Sequence, residues 1–210
     1  MYKVFYFNPL RECCYVVWNE AKECVIIDPG ALSMREQDRF AEYIAGESLL
    51  VRAILLTHGH FDHVFGLKDA VFRWSVPVYM HPKDQSVFDG SDAFSKMIGI
   101  PYEGYEGPMM DIMTCSDNLP EGLKFEIIET PGHTQGCVCL YLKDEGLLFC
   151  GDTIFQGSVG RTDHPGGDFD QMMASIRREI VPLPPETRLL PGHGHDTTLE
   201  EELQSNPFLI

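Results

Sequence analysis

The chain has 210 residues, 44% of them hydrophobic and 23% charged, enough to build a substantial core in an ordinary soluble globular protein. Sixteen basic against 32 acidic side chains give a formal net charge of −16. That charge argues against nucleic acid or an anionic membrane surface as main partner, and it leaves a small anionic substrate open, because such a ligand responds to the local field of a site.

The first third reads as strands. YKVFYF, CCYVVWN and ECVIIDPG are β-branched and aromatic runs broken by turn residues, with Pro29 and Gly30 closing the third. Residues 34–46 carry Phe40, Ala41 and Ile44 on one helical face. VRAILL, at 51–56, is a short continuous apolar run, the mark of a strand buried on both faces. VPVYM, at 76–80, is a further strand. Residues 89–122 hold five glycines and three prolines, and they read as a long irregular excursion. Strands resume at 124–132, 137–143 and 146–152. Phe169, Met172, Met173, Ile176 and Ile180 then mark a helix over about 168–180, with Asp168 as cap and Pro182 as stop. Residues 187–194 are the last strand and its exit turn, and an acidic helix follows. There is no repeat and no long linker. The reading is one α/β domain over 1–210, built from two mixed sheets covered by helices.

Neither a secretory leader nor a run near the roughly 20 apolar residues of a membrane helix is present, so the sequence predicts a cytoplasmic protein. Cysteines 13, 14, 24, 115, 137, 139 and 150 are odd in number and lack paired metal-ribbon spacing, which predicts reduced, structural thiols.

Four strand ends share a chemistry. AILLT leads into His58, His60, Asp62 and His63; FEIIETPG into His133; GLLFCG into Asp152; RLLPG into His193. An apolar strand fixes the backbone at each, and a turn then aims the side chain out of the sheet. Strands lying side by side would bring these seven donors into one cluster. His58 and His60 are two apart in an extended exit, so they point the same way, while Asp62 and His63 follow where the chain turns into a helix. Imidazole with carboxylate suits Zn, Fe(II) or Mn. Arg161, in a glycine-rich turn after Asp152, either braces the site and binds a substrate carboxylate or pairs with Asp163 or Asp168. Tyr102 and Tyr105, in the middle segment, either reach a substrate or pack their own loop. His81 reads as a turn residue or as a partner behind a ligand, and His164 and His195 as solvated.

On THGHFDH, TPGHTQG, GDTIFQGSVGRTDHPGGD and LLPGHG, the chain resembles the metallo-β-lactamase superfamily and, within it, the short single-domain hydroxyacylglutathione hydrolases of the glyoxalase II group. The resemblance covers nearly the whole chain. It implies an αββα sandwich without the additional C-terminal helical domain of full-length glyoxalase II enzymes. It implies His58, His60 and His133 as ligands of one divalent ion, Asp62, His63 and His193 as ligands of a second, and Asp152 as the bridge. Two zinc ions are expected, with iron or manganese as the other choices. Asp62 and Asp152 are the expected catalytic carboxylates. The implied reaction is hydrolysis of a small, anionic thioester such as a hydroxyacylglutathione by a hydroxide bridging the metals. β-Lactamases of the superfamily usually carry Cys where Asp152 stands, which argues against antibiotic hydrolysis. The alternatives are a mononuclear iron persulfide dioxygenase using His58, His133 and Asp152, another hydrolase of the superfamily, and a metal-buffering module without turnover.

Overall fold

The apolar runs of the first third form strands because β-branched and aromatic side chains pack well on a pleated surface. In the computed structural model, which describes residues 1–116 and 118–210 and the backbone of residue 117, the chain divides into two units, Met1–Lys124 and Phe125–Ile210.

In the first unit, β1 (Tyr2–Phe7), β2 (Glu12–Trp18) and β3 (Glu23–Ile27) make an antiparallel meander. Helix α1 (Met34–Gly46) crosses back to β4 (Leu50–Leu55), which lies parallel to β3. Two short helices, α2 (Phe61–Val64) and α3 (Leu67–Trp74), lead to β5 (Val78–Met80). Helix α4 (Gln85–Met97) then leads to β6 (Met110–Asp111), and both strands extend the sheet in parallel. The spatial order follows the sequence from β1 to β6. Helix α1 starts where Ser33 and Glu36 close a reciprocal capping box. One face of the sheet buries Cys14, Val16, Cys24, Ile26, Ile54, Leu56, Val78 and Met80 with Phe40 and Ile44 of α1 and Leu67 and Ala70 of α3. The alternate residues Tyr15, Val17, Val25, Ile27, Ala53 and Leu55 are buried as well, so β2, β3 and the second half of β4 are buried on both faces rather than alternating.

In the second unit, β7 (Phe125–Glu129), β8 (Val138–Leu142) and β9 (Leu147–Gly151) pair antiparallel. A small β10 (Ile154–Phe155) and β11 (Ser158–Val159) hairpin follows, then α5 (Phe169–Ser175). β12 (Arg188–Pro191) inserts parallel to β9, and β13 (Thr197–Thr198) pairs with it before α6 (Leu199–Ser205). The order is β13-β12-β9-β8-β7. Ile128, Cys139, Tyr141, Leu148, Cys150 and Leu189 form a core with Met172, Met173, Ile176, Ile180 and Leu199. Asp168 caps α5 by accepting from the Gln171 N–H at 2.9 Å. The last turn widens to a π-helix over Ile176–Ile180, which carries the expected apolar stripe to Ile180. The first residue of that stripe, Phe169, stays exposed. Both sheets are mixed and flanked by helices, the expected fold class.

The stretch read as irregular over 89–122 departs from expectation in its first part: residues 89–97 belong to α4. The inward positions of that helix are Asp84, just before it, and Ser91 and Ser95. They have helical spacing, with Phe88 packed against the core between them, but small polar side chains occupy the fully buried positions, so the apolar period of the helix is weak. All seven cysteines are buried thiols. Among the described residues, no helix is long and apolar enough to cross a membrane.

Candidate metal centre

In the first unit the donors sit where β4 runs out. Leu55, Leu56 and Thr57 are fully buried, which fixes the backbone up to His58. His60 is the N-cap of α2, so Asp62 and His63 fall in its single turn. The His58 ring stands edge-on to His60, centroids 4.8 Å apart, and 4.2 Å from that of His63. His63 Nε2 is 3.9 Å from Asp62 Oδ2.

Behind these rings lies Asp28, a residue outside all four histidine and aspartate motifs. Asp28 follows β3, is 1% exposed, and adopts φ +50°. Its Oδ1 accepts from the Thr57 N–H at 2.8 Å, and its Oδ2 from the Thr57 hydroxyl at 2.6 Å. The same Oδ2 is 3.0 Å from His63 Nδ1. Thr57 Oγ1, having given its proton to Asp28, accepts from His58 Nδ1 at 3.0 Å. These acceptors decide the tautomers: both rings carry their proton on Nδ1 and keep the lone pair on Nε2, the arrangement metal-bound imidazoles use. Asp28, His58 and His63 are close enough together to hold an ion themselves. The carboxylate is already committed to three donors, however, so its chemistry is that of an anchor. The signal that could have found it was in plain view: VIIDPG is another apolar strand ending in a carboxylate.

Gly59, between the first two histidines, is held from both sides of its peptide. Its N–H donates to Asp84 Oδ2 at 2.9 Å, and its carbonyl accepts from the Ser91 hydroxyl at 2.7 Å.

In the second unit His133, Asp152 and His193 come together. Asp152 Oδ2 lies 3.6 Å from His133 Nε2 and 3.7 Å from His193 Nε2. Two imidazole nitrogens thus face one carboxylate oxygen. The exits of β9 and β12 are tied by the Gly192 N–H donating to the Gly151 carbonyl at 2.7 Å, and those of β7 and β9 by the Thr130 and Thr153 hydroxyls at 2.9 Å. His133 follows Gly132, whose φ of +145° is open only to glycine and where a Cβ would overlap Met172 of α5. The His133 Nδ1 faces the Arg161 carbonyl at 2.7 Å, so this ring too carries its proton on Nδ1 and presents Nε2.

Arg161 therefore touches the donor set through its backbone. Its exposed guanidinium forms a bidentate pair with Asp163, at 2.7 and 3.1 Å, and that contact holds the Asp163 carboxyl below the usual range. Tyr102 packs edge-on against Phe65, centroids 5.0 Å apart, and burial, with Asp92 nearby, pushes its phenol up to about 12. The Tyr105 hydroxyl donates to the Pro108 carbonyl at 3.2 Å. Both rings pack against the core of the first unit. His81 is buried and caps a 3₁₀ turn, accepting from the Lys83 N–H at 3.1 Å. His164, expected to be solvated, instead stands edge-on to His133, with its Nε2 3.3 Å from His133 Nδ1. His195 is exposed.

Residues 9–193 match the family model of the metallo-beta-lactamase superfamily. The chain is 32% identical over 209 residues to hydroxyacylglutathione hydrolase GloC of Haemophilus influenzae, covering 95% of this chain and 93% of that protein. Among solved structures it is similar to the BLEG-1 B3 metallo-beta-lactamase, at 36% identity and a TM-score of 0.89, covering 100% of this chain and 99% of that one. It is also similar to TTHA1623 in a di-iron-bound form, at 38% identity and a TM-score of 0.85, covering 99% and 100%.

Proposed function

The chain belongs to the metallo-β-lactamase superfamily and is a metal-dependent hydrolase by that membership; from this premise we propose that it cleaves a small anionic thioester of the hydroxyacylglutathione type. The observation that carries the reading is the chemistry of the donors. Three histidines have Nδ1 engaged by an acceptor, which commits Nε2 to ligation. An Asp152 oxygen lies between His133 and His193, as a bridging carboxylate requires. The donors fit divalent ions of zinc or iron character. In this proposal His58, His60 and His133 hold one ion, Asp62, His63 and His193 hold a second, and Asp152 serves both. Zinc suits the set and favours a thiolate leaving group; the di-iron form of the relative makes iron the other choice.

Bound ions would supply Lewis acidity, bringing the pKa of coordinated water from 15.7 to about 7 and polarising the substrate carbonyl. The chain's own residues do the positioning. Asp62, buried at the start of α2, takes up the proton of the attacking water and orients its lone pair. Asp28, through His63 and Thr57, keeps the imidazoles from rotating. Thioester cleavage needs no Ser-His-Asp nucleophile. The Arg161 guanidinium, Tyr102 and Tyr105 are proposed to meet the acyl or thiol portion. For Arg161 this means exchanging Asp163 for a substrate carboxylate, a small cost for an exposed pair. The likeness to the BLEG-1 enzyme gives β-lactams as a second substrate class, whatever Asp152 argues against them.

The test is turnover by protein purified without added metal, assayed for metal content, then loaded with Zn²⁺ or Fe²⁺. S-lactoylglutathione, a coenzyme A thioester and a chromogenic cephalosporin make the panel. Hydrolysis of the first that stops with chelator and returns with metal is expected. A folded, metal-replete preparation that cleaves no thioester would overturn the reading. Faster β-lactam cleavage would favour the second, and oxygen uptake on glutathione persulfide with about one iron per chain would favour the dioxygenase.

A further inference from the structure

Helix α2 is a single turn of four residues, and its N-cap makes no side-chain capping hydrogen bond. So short a helix cannot hold its own geometry, yet it carries Asp62 and His63. The position of its backbone must be imposed from outside. The structure shows one side chain doing this at Asp62 itself. Asn8, in the turn between β1 and β2, is 9% exposed. Its carboxamide donates one N–H to the Asp62 carbonyl at 3.0 Å and the other to the Gly30 carbonyl at 3.0 Å. Its Oδ1 accepts from the Leu10 N–H at 2.9 Å, and its own N–H donates to Glu36 Oε1 at 2.8 Å. The side chain is thus locked on its acceptor face and spends both donor hydrogens on two separate backbone carbonyls. One belongs to the loop after β3 that follows Asp28, and the other to the ligand turn. The backbone φ of +53° is one Asn tolerates better than most residues.

We propose that Asn8 is a positioning residue for Asp62: its carboxamide pins the ligand turn to the Gly30 loop and so sets where the Asp62 carboxylate stands. The inference rests on Asp62 serving as a ligand and proton acceptor, as proposed above. It extends the site to a residue some fifty positions away in sequence, with no motif to mark it.

Two substitutions separate this role from general stability. Asn8→Gly removes the carboxamide at a φ that glycine adopts freely, so no backbone strain is added. Asn8→Asp keeps the volume and the acceptor toward Leu10 but replaces the donating nitrogen with one oxygen that faces both carbonyls. Thr198→Ala, which removes the α6 cap and touches neither Asn8 nor its partners, is the control for lost stability alone. The readouts are Co²⁺ affinity by chelator competition, the visible absorption spectrum of the Co²⁺ protein, and kcat with KM for the thioester.

Loss of a group that orients a ligand typically costs roughly 10–100-fold in affinity or rate. Both Asn8 variants should lose that much Co²⁺ affinity in one of two binding steps, with an altered spectrum. They should lose kcat with little change in KM. Thr198→Ala should match the wild type in all three at a temperature where it is folded. If Asn8→Gly and Asn8→Asp bind Co²⁺ with wild-type affinity and spectrum, the inference is wrong. Should Asn8→Asp not fold, Asn8→Gly alone decides it. A wild-type protein that binds metal but cleaves no thioester defeats the proposed function and leaves the affinity and spectral comparison able to judge Asn8.

Discussion

Asp28→Asn tests the account of the metal centre most sharply, because it changes one oxygen and almost no volume. The carboxylate accepts three hydrogens: from the Thr57 N–H, from the Thr57 hydroxyl and from His63 Nδ1. An Asn carboxamide offers one oxygen. If that oxygen keeps the Thr57 N–H, the amide nitrogen faces the Thr57 hydroxyl and His63 Nδ1, where it can only donate. His63 must then present a bare Nδ1 and move its proton to Nε2, the atom that should bind metal. The Thr57 hydroxyl must turn its own proton toward His58 Nδ1, with the same result there. Keeping both rings in the ligating tautomer would leave two hydrogen bonds to a charged group unmade, at about 1.5–3 kcal/mol each. The variant therefore loses about 3–6 kcal/mol of binding free energy, or about 10²–10⁴ in metal affinity at 1.36 kcal/mol per decade. Asp28→Ala removes more atoms but lets water take the Nδ1 protons, so it should bind metal better than Asp28→Asn. Chelator-competition titration with Co²⁺ on both variants reads the order directly. Asp28→Asn binding within threefold of the wild type, or binding more tightly than Asp28→Ala, would refute the tautomer argument.

Other outcomes follow from the same geometry. Asp62→Asn, which keeps a neutral oxygen as a weak ligand but removes the base, should lower kcat by roughly 10²–10⁴ while the thermal midpoint of the apo protein moves little; a change mainly in KM would reassign the residue. Gly132→Ala combines a forbidden φ with overlap against Met172 and should destabilise the protein by about 2–4 kcal/mol, read by urea unfolding, with metal affinity falling as His133 shifts. Burial pushes the Cys24 thiol from its ordinary 9.0 up to about 12. Because the folded value is the higher one, the stabilisation is complete below pH 9 and is lost as pH rises through the window from 9 to 12. At pH 10.5 the loss is about 2 kcal/mol from this group, so the urea midpoint should fall between pH 8 and 10.5, and Cys24→Ala should flatten that fall. A fall as steep in Cys24→Ala would reject the assignment.

What the sequence made legible and what it hid divide along a physical line. Features carried by period or by clustering were visible. The buried strands at 12–18 and 23–27 announce themselves as apolar runs. Helix α1 shows an apolar face, and His58, His60, Asp62 and His63 crowd into six positions. Features carried by a single hydrogen bond across a long sequence separation left no such trace. Asp28 is one carboxylate after one strand, and only the fold brings it under His63, 35 residues on. Two serines of α4 occupy inward positions where further apolar residues beside Phe88 would have revealed the helix, and the Ser91 hydroxyl reaches the Gly59 carbonyl. The same substitution of hydrogen bonding for packing explains both misses. Close to the donors, the chain supports its backbone with polar side chains: Asn8 on Asp62, and Asp84 and Ser91 on Gly59. Apolar packing tolerates small displacements of a side chain, whereas a hydrogen bond at 2.7–3.0 Å fixes the position of one named atom. A ligand loop that must hold imidazoles to a fraction of an ångström is better served by the second kind of contact. The segments least readable by period are accordingly those that hold the chemistry in place.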